Sequence, residues 1–408
     1  MNKHLLYYLL ILVSVLFTNC KEEDKLYITD EPGYTFETVE TTELSNGCKL
    51  YHIQEEKTPW NIHVIEIDLT NPKNKLETSL ANNLVAWGTS VNKETLAHAI
   101  ERKGAEGEDV VAGINGDFFD MNTGMQFVTT VHDGKIGSSG ITPKPHSALL
   151  VDDQGVPYIG IADLHSKLMI GNKERIINSY NGTRWADNLV VYNSLLNNGN
   201  ISGANPWGCE VLVEIVDGSN SAVNGVHEYK VLEVDNVMDN VRTTIKNPQK
   251  QFILSGHGAA REFIMNLAPD DIVKIENNYE GFANDVKIKE VLGGWAQFVK
   301  EGVNNSIQSI VLEGTMYHEK QRHPRSCIGY NKDKTKFYMV AIEGRSEISK
   351  GMSLNEMAYF MMKKFDVWDA LNLDGGGSST LMYDDVTVNA LSGEVQRATT
   401  NSLLVLSK

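Results

Sequence analysis

An acidic residue followed by three glycines, at the end of an apolar run, constrains this chain more than any other feature. The stretch is ALNLDGGGSSTLMYD, Ala370 to Asp384. Ala370, Leu371 and Leu373 alternate with Asn372, the pattern of a short buried strand. Asp374 then precedes Gly375, Gly376 and Gly377, and Ser378 and Ser379 supply two hydroxyls. Three successive glycines lose much backbone entropy on folding, which a plain turn does not require. They permit close approach of the backbone to a ligand, with consecutive N–H groups cradling an anion. A carboxylate beside such a nest is placed for acid/base or nucleophilic work. A flexible Gly/Ser hairpin loop is the competing reading; the apolar strands on both sides and the placed Asp weigh against it. The G-x-x-x-x-G-K-[ST] spacing fails and no Lys follows, so a nucleotide-binding loop is not indicated.

Other segments follow the same plan of a strand ending in polar, Gly-rich residues. Residues 61–69 alternate strictly and predict a strand, with His63 on its polar, solvated face. Residues 92–103 predict a helix with Asn92 as N-cap and Gly104 as stop. A strand over 109–114 then runs into NGDFFD, residues 115–120. Residues 124–161 read as a β-meander. Residues 163–208 read as a long Asn/Gly-rich excursion carrying Arg184, Trp185 and Trp207, its tryptophans either packed or stacked on a sugar. Strands return at 209–216, 226–234 and 251–254. His257 reads as the cap of a helix over 259–267, with a catalytic histidine as the alternative, and a strand follows at 272–275. The run Val291-Leu292 ends in Gly293-Gly294. Arg322 to Tyr330, RHPRSCIGY, enters a hairpin whose return strand ends in Glu343-Gly344-Arg345. Ser353 and Glu356 form a capping box for a helix over 354–365, and residues 400–406 read as a closing strand. The expected class is α+β: mixed, strand-rich sheets with a few packed helices.

The length of 408 residues allows one large or two medium domains. A net charge of −16 argues against nucleic acid as a partner, though not against one phosphate in a local pocket. Lys3 precedes an apolar run from Leu5 to Phe17, too short for a comfortable membrane span and suited to a signal peptide. The run ends at Cys20, which resembles a bacterial lipoprotein processing site. Lys21-Glu22-Glu23-Asp24 resembles the acidic export tag of surface lipoproteins in Bacteroidetes-type bacteria. The expected organisation is a lipoprotein signal peptide at 1–20, a tether and hairpin at 21–58, and a catalytic domain at 59–408. Membrane contact would come only through lipid on Cys20, at the outer-membrane surface or in the periplasm of the cell envelope. Cys48, Cys209 and Cys327 then remain, so at most one disulfide is expected, and the absence of C-x-x-C disfavours structural zinc.

Together the strand-end loops supply carboxylates, guanidinia and an anion nest. No His is placed locally to activate Ser378, and G-x-S-x-G and H-E-x-x-H are absent. The segments NGDFFD, LSGHG, LGGWAQFVKEG, HPRSCIGYNKDKTKFYMVAIEGR and LNLDGGGSSTLMYD, in this order, resemble the phosphodiester glycosidase family. The resemblance spans roughly residues 61–406. Asp117 departs from the small residue frequent in bacterial relatives, Ser326-Cys327 replaces a more usual Thr-Ala, and the 163–208 insertion is this chain's own. The family implies a hydrolase cleaving the C1–O bond of a sugar-1-phosphodiester. Arg325 and the amides of Gly375, Gly376 and Gly377 would hold the phosphate. Asp374 or Glu343 would act as base or nucleophile at the anomeric carbon. Asn115, Asp117 and Asn372 would orient the sugar, with Gly294, His323, Arg345, Ser378 and Ser379 also lining the site. A divalent cation shared by Asp117 and Asp374 stays open. The alternatives are a surface glycan-binding lipoprotein with the same pocket, and a phosphodiesterase cleaving P–O.

Overall fold

Antiparallel pairing between sequence-distant strands organises this protein. The computed structural model describes residues 33–85, 92–142, 144–196, 206–216, 223–236, 243–282, 286–314 and 321–408. The signal-peptide region, Cys20, the acidic 21–24 segment and the tether up to residue 32 lie outside the described residues. Residues Phe36–Lys408 make one compact unit.

Two sheets meet at the triple-glycine corner. The first has eight strands, in the order Glu37–Glu43, Lys49–Glu55, Trp60–Asp68, Lys336–Ile342, Arg325–Asn331, Val367–Asn372, Gln297–Lys300 and Val303–Asn304. The 37–55 hairpin thus adds to the main sheet through the strand Trp60–Asp68. The second sheet runs Val386–Thr387, Leu381–Tyr383, Asp109–Asn115, Asn401–Ser407 and Asn74–Leu80. Side chains from both sheets share one core, including Ile65, Met339, Ile328, Leu371, Ile114, Leu381 and Leu403. A five-stranded and another eight-stranded sheet share a second core around Val131, Leu150, Val211, Leu254 and Ile275. The architecture is mainly β. Four α-helices occur among the described residues: Leu96–Ala105, Ala259–Ile264, Ser306–Glu313 and Leu354–Phe365.

The longest helix, Leu354–Phe365, forms as its sequence dictates. Ser353 and Glu356 make the reciprocal capping box, and Asp366 closes the C-terminus in the left-handed region at φ 50°. Leu354, Met357, Ala358, Phe360 and Met361 turn inward. Elsewhere the sequence reading needs correction. The helix expected over 92–103 runs from Leu96 to Ala105 with Thr95 as N-cap. Asn92 instead donates to the carbonyls of Ala81 and Leu84, tying the approach to a turn. The helix after His257 stops at Ile264, and its Ala259 N–H is accepted by Asp187 Oδ1, so Asp187 and not His257 does the capping. The 163–208 excursion carries the strands Leu164–Ile170, Lys173–Ile176, Ser179–Tyr180 and Leu189–Tyr192. The polar composition of the first three hid them because strands at or near a sheet edge bury only part of their surface, whereas Leu189–Tyr192 is wholly buried. The helix Ser306–Glu313 was not foreseen. Cys48, Cys209 and Cys327 are free, buried thiols. Burial pushes Cys209 up to about 12 and raises Cys48 and Cys327 as well, so none is a ready thiolate.

Candidate active site

Strand register gathers the candidate residues at one end of the main sheet. Arg325 pairs with Ile342, and Cys327 pairs with Asn372. Antiparallel neighbours therefore release Glu343, Arg325 and Asp374 at the same edge. The second sheet reaches this edge through Asn115, which pairs with Ser402. Asp374 N–H donates to Gly116 O at 3.0 Å, and Asn115 Nδ2 donates to Asp374 O at 2.6 Å. These two bonds clamp the Asp374 backbone from both sides.

The carboxyl of Asp374 accepts the Ser378 hydroxyl at Oδ2, 2.6 Å away. Burial pushes this carboxyl up to about 6, against the pull of the Ser378 hydroxyl, the Arg397 cation and the Gly375 N–H. That value suits a group exchanging protons near neutrality. Asp117 behaves differently. It is fully buried, accepts Val128 N–H at Oδ2 (3.0 Å), and its own N–H donates to Asn401 Oδ1 (2.8 Å). Burial holds Asp117 well above the usual carboxylate range; backbone N–H groups pull it down and the nearby Asp374 charge pushes it further up. Two neighbouring carboxyls are thus both raised by burial, Asp117 with backbone amides and Asp374 with a hydroxyl as its partner.

The three glycines shape a tight turn beside Asp374. Gly376–Ser378 forms a 3-10 turn, with Gly376 at φ 63°. Gly376 N–H donates to Pro324 O at 2.8 Å, and Ser378 and Ser379 N–H donate to the carbonyls of Gly375 and Gly376. Of the three glycine amides, that of Gly376 is thus engaged inside the turn, and the Gly375 N–H bears on the Asp374 carboxyl. What the glycines allow is the approach of two exposed guanidinia. A Cβ on Gly377 would overlap the Arg397 guanidinium, and one on Gly376 would stand 3.0 Å from Arg345 Nη2. Arg397 Nη1 also reaches Ser378 Oγ at 3.4 Å.

Several further candidates turn out to support the site. Arg325 is 5% exposed; its Nε donates to Met352 O and its Nη2 to Gln321 O. Burial pulls its pKa down to about 10. It holds backbone in place, so Arg345 and Arg397 replace it as candidate phosphate ligands. Asn115 Oδ1 accepts from Ser326 Oγ and Thr380 N–H, leaving it a brace. Asn372 is fully buried with Nδ2 on Trp295 O, and Asp117 is closed off as described, so neither fits the expected contact with sugar hydroxyls. Gly294 is a close-packing point where a Cβ would sit 2.7 Å from Asn372 O. His323 bridges Met352 through its backbone, and its ring lies 3.2 Å from Gln321 Oε1. Ser379 is buried beneath the turn.

Glu343 is buried, and its Oε1 accepts Ala390 N–H at 2.7 Å and lies 2.9 Å from His63 Nε2. Burial raises its pKa, but hydrogen bonds from His63, Ala390 and Asn61 more than offset this and hold it below the usual range. His63 is therefore buried and not solvated, because the loop after Val388 closes over the polar face of its strand. That loop returns to the corner through Ser392 Oγ, which donates to Gly376 O, and carries Arg397. Glu343 anchors the loop and leaves Asp374 as the carboxylate at the reacting end. Glu343→Ala is expected to lower stability by about 1.5–3 kcal/mol, since a buried charge-assisted bond is lost and Ala390 N–H is orphaned. An unchanged urea midpoint would remove this anchoring role.

His63, Trp295, Asn401 and Arg397 were missed at the sequence level. Trp295 is half-buried, with Phe118, Phe127 and His146 rings around it at 6.2, 6.1 and 4.2 Å. No local spacing marks Arg397; only the returning loop brings it here. Asp117 Oδ2 serves an amide and Asp374 Oδ2 a hydroxyl, while Asp117 Oδ1 is buried with no hydrogen-bond partner. Among the described residues, the one trio of His, Cys or acidic ligand atoms within 4.8 Å of one another is Asp163, His165 and Glu280.

Comparison with known proteins places these features. A family model described as phosphodiester glycosidase matches residues 217–406. The chain is 31% identical over 84 residues to the SPbeta prophage-derived uncharacterized protein YomE of Bacillus subtilis (strain 168), 21% of this chain and 13% of that protein. It is 35% identical over 72 residues to the N-acetylglucosamine-1-phosphodiester alpha-N-acetylglucosaminidase of Bos taurus, 18% of this chain and 13% of that protein. The matched regions thus span about an eighth of the length of these curated relatives. In fold, the chain is similar to a hypothetical protein from Synechocystis at a TM-score of 0.67 and 17% identity, covering 93% of this chain and 64% of that one. The compact unit extends well beyond the matched segment and takes Asn115, Asp117 and His63 from outside it. Residues 217–406, which contribute Glu343, Arg345, Asp374, Ser378 and Arg397, are a phosphodiester glycosidase family domain.

Proposed function

We infer that this protein hydrolyses the bond between the anomeric carbon of a sugar and the oxygen of a phosphodiester, releasing free sugar and a phosphomonoester. The observation that carries this reading is the corner itself: a carboxyl poised near 6, with two guanidinia lying on the glycines beside it. Water attacks C1, the C1–O bond breaks, and its electron pair leaves with the phosphate. The ionised Asp374 takes the proton from the attacking water. The leaving phosphomonoester has a second pKa of about 6, so it departs without a strong acid. Arg345 and Arg397 meet its developing charge, and guanidinium geometry matches phosphate oxygens. The Ser378 hydroxyl orients Asp374, and burial raises the Asp117 pKa, which disfavours a second negative charge beside it.

Hydrolysis of N-acetylglucosamine-1-phosphomethyl diester in ¹⁸O-water tests the assignment. Label in the sugar is the expected result. Label in the phosphate would reassign the protein as a phosphodiesterase cleaving P–O. Glycan bound without any product after prolonged incubation would make it a binding protein instead.

We also propose that the chain works in the cell envelope, tethered by lipid on Cys20. The apolar run before Cys20 and the acidic segment after it support this. Among the described residues no helix is long and apolar enough to cross a membrane. Palmitate labelling that persists in Cys20→Ala would exclude this anchor.

A further inference from the structure

The excursion over 163–208 brings two tryptophans to the surface that the catalytic corner does not use. Trp185 is 69% exposed and Trp207 59% exposed, so packing does not account for either. Both sit on backbone fixed by one buried side chain. Arg184 Nη1 donates to Ser255 Oγ at 3.0 Å and to Gly256 O at 3.2 Å, while Nη2 donates to Pro206 O at 2.8 Å. The residue before Trp185 is thereby tied to the residue before Trp207. Asn188 N–H closes a turn onto Trp185 O at 3.2 Å. An indole presented on fixed backbone forfeits little entropy on binding. It offers a flat apolar face with a polar edge, the surface on which a sugar ring stacks.

Beside Trp185 lies a cavity of about 370 Å³, lined also by Ser139, Ile141, Asn178, Thr183 and Asn188. A volume of this order accommodates a small ligand, and one aromatic wall with a few polar groups is the usual make-up of such sites. Asn178 Oδ1 accepts Leu189 N–H, which fixes the amide and leaves its NH₂ at the exposed rim. Ser139 also borders a second cavity of about 160 Å³ that reaches Phe127 and His146. Those two rings pack against Trp295, whose N–H donates to Asn372 O two residues before Asp374. The two cavities thus adjoin at Ser139, and the smaller one borders rings that pack on Trp295.

We propose that Trp185 and the cavity beside it form a carbohydrate-binding subsite for sugars remote from the scissile bond. That a scissile bond exists rests on the catalytic reading above; the binding itself does not. The strongly acidic chain favours neutral glycans over anionic ones.

Calorimetric titration of the full protein with maltohexaose, cellohexaose and N-acetylchitohexaose tests the subsite. At least one binds saturably, Trp185→Ala weakens it tenfold or more, and Trp185→Tyr restores most of the affinity. Turnover of the small methyl diester stays within twofold of wild type in Trp185→Ala. Saturable binding to none of the three, or binding undiminished in Trp185→Ala, overturns the subsite. Binding that depends on Trp185 in a protein that hydrolyses no sugar phosphodiester keeps the subsite and removes the catalytic reading.

Discussion

Asp374→Asn lowers kcat/KM on a sugar-1-phosphodiester by about 10²–10⁴-fold at pH 7, the usual contribution of a positioned acid/base group. The substitution is nearly isosteric, and the amide can still accept the Ser378 hydroxyl, so the turn keeps its shape. Wild-type activity carries an acid limb near pH 6, because the carboxyl titrates at about that value. The sign follows from the chemistry: a base works ionised, so turnover falls as pH drops through 6 and levels off above it. The limb disappears in Asp374→Asn. An Asp374→Asn protein with wild-type turnover and a retained limb would move the chemistry to another carboxyl.

Arg397→Ala lowers kcat by about 10²–10³-fold, the size of loss seen when one preorganised charge contact to a transition state is removed. It has a second consequence that a merely structural residue lacks. The Arg397 cation helps hold the Asp374 pKa down. Without it the carboxyl binds its proton more tightly, and the acid limb moves to higher pH. Arg397→Lys keeps the charge and most of the limb position, yet recovers only part of kcat, because an ammonium lacks the planar fork. Rate measurements from pH 4.5 to 8.5 for both variants decide the matter. Near-normal kcat with an unmoved limb in Arg397→Ala would leave Arg345 as the sole phosphate contact.

Legibility differed between the parts of the site. Asp374 and Ser378 lie four residues apart in one motif, so local spacing sets their contact. The capping box at Ser353 and Glu356 was readable for the same reason. Arg325 misled because a sequence shows that a guanidinium is present but not which way it turns. Its Nε and Nη2 face backbone carbonyls. His63 misled because alternation separates two faces of a strand without saying what covers each. Here Glu343 and the loop bearing Ala390 cover the polar one.

By itself the sequence determined the strand-rich class, the family motifs and the carboxylate beside the triple glycine, all of which depend on neighbours within a few residues. Tertiary structure decided which arginines lie on the glycine turn, how far burial raises each acid, and that Trp185 stands in solvent. Those outcomes depend on strand register and on a loop returning across hundreds of residues. Desolvation and charge proximity, which set the state of each group, exist only once those segments have met.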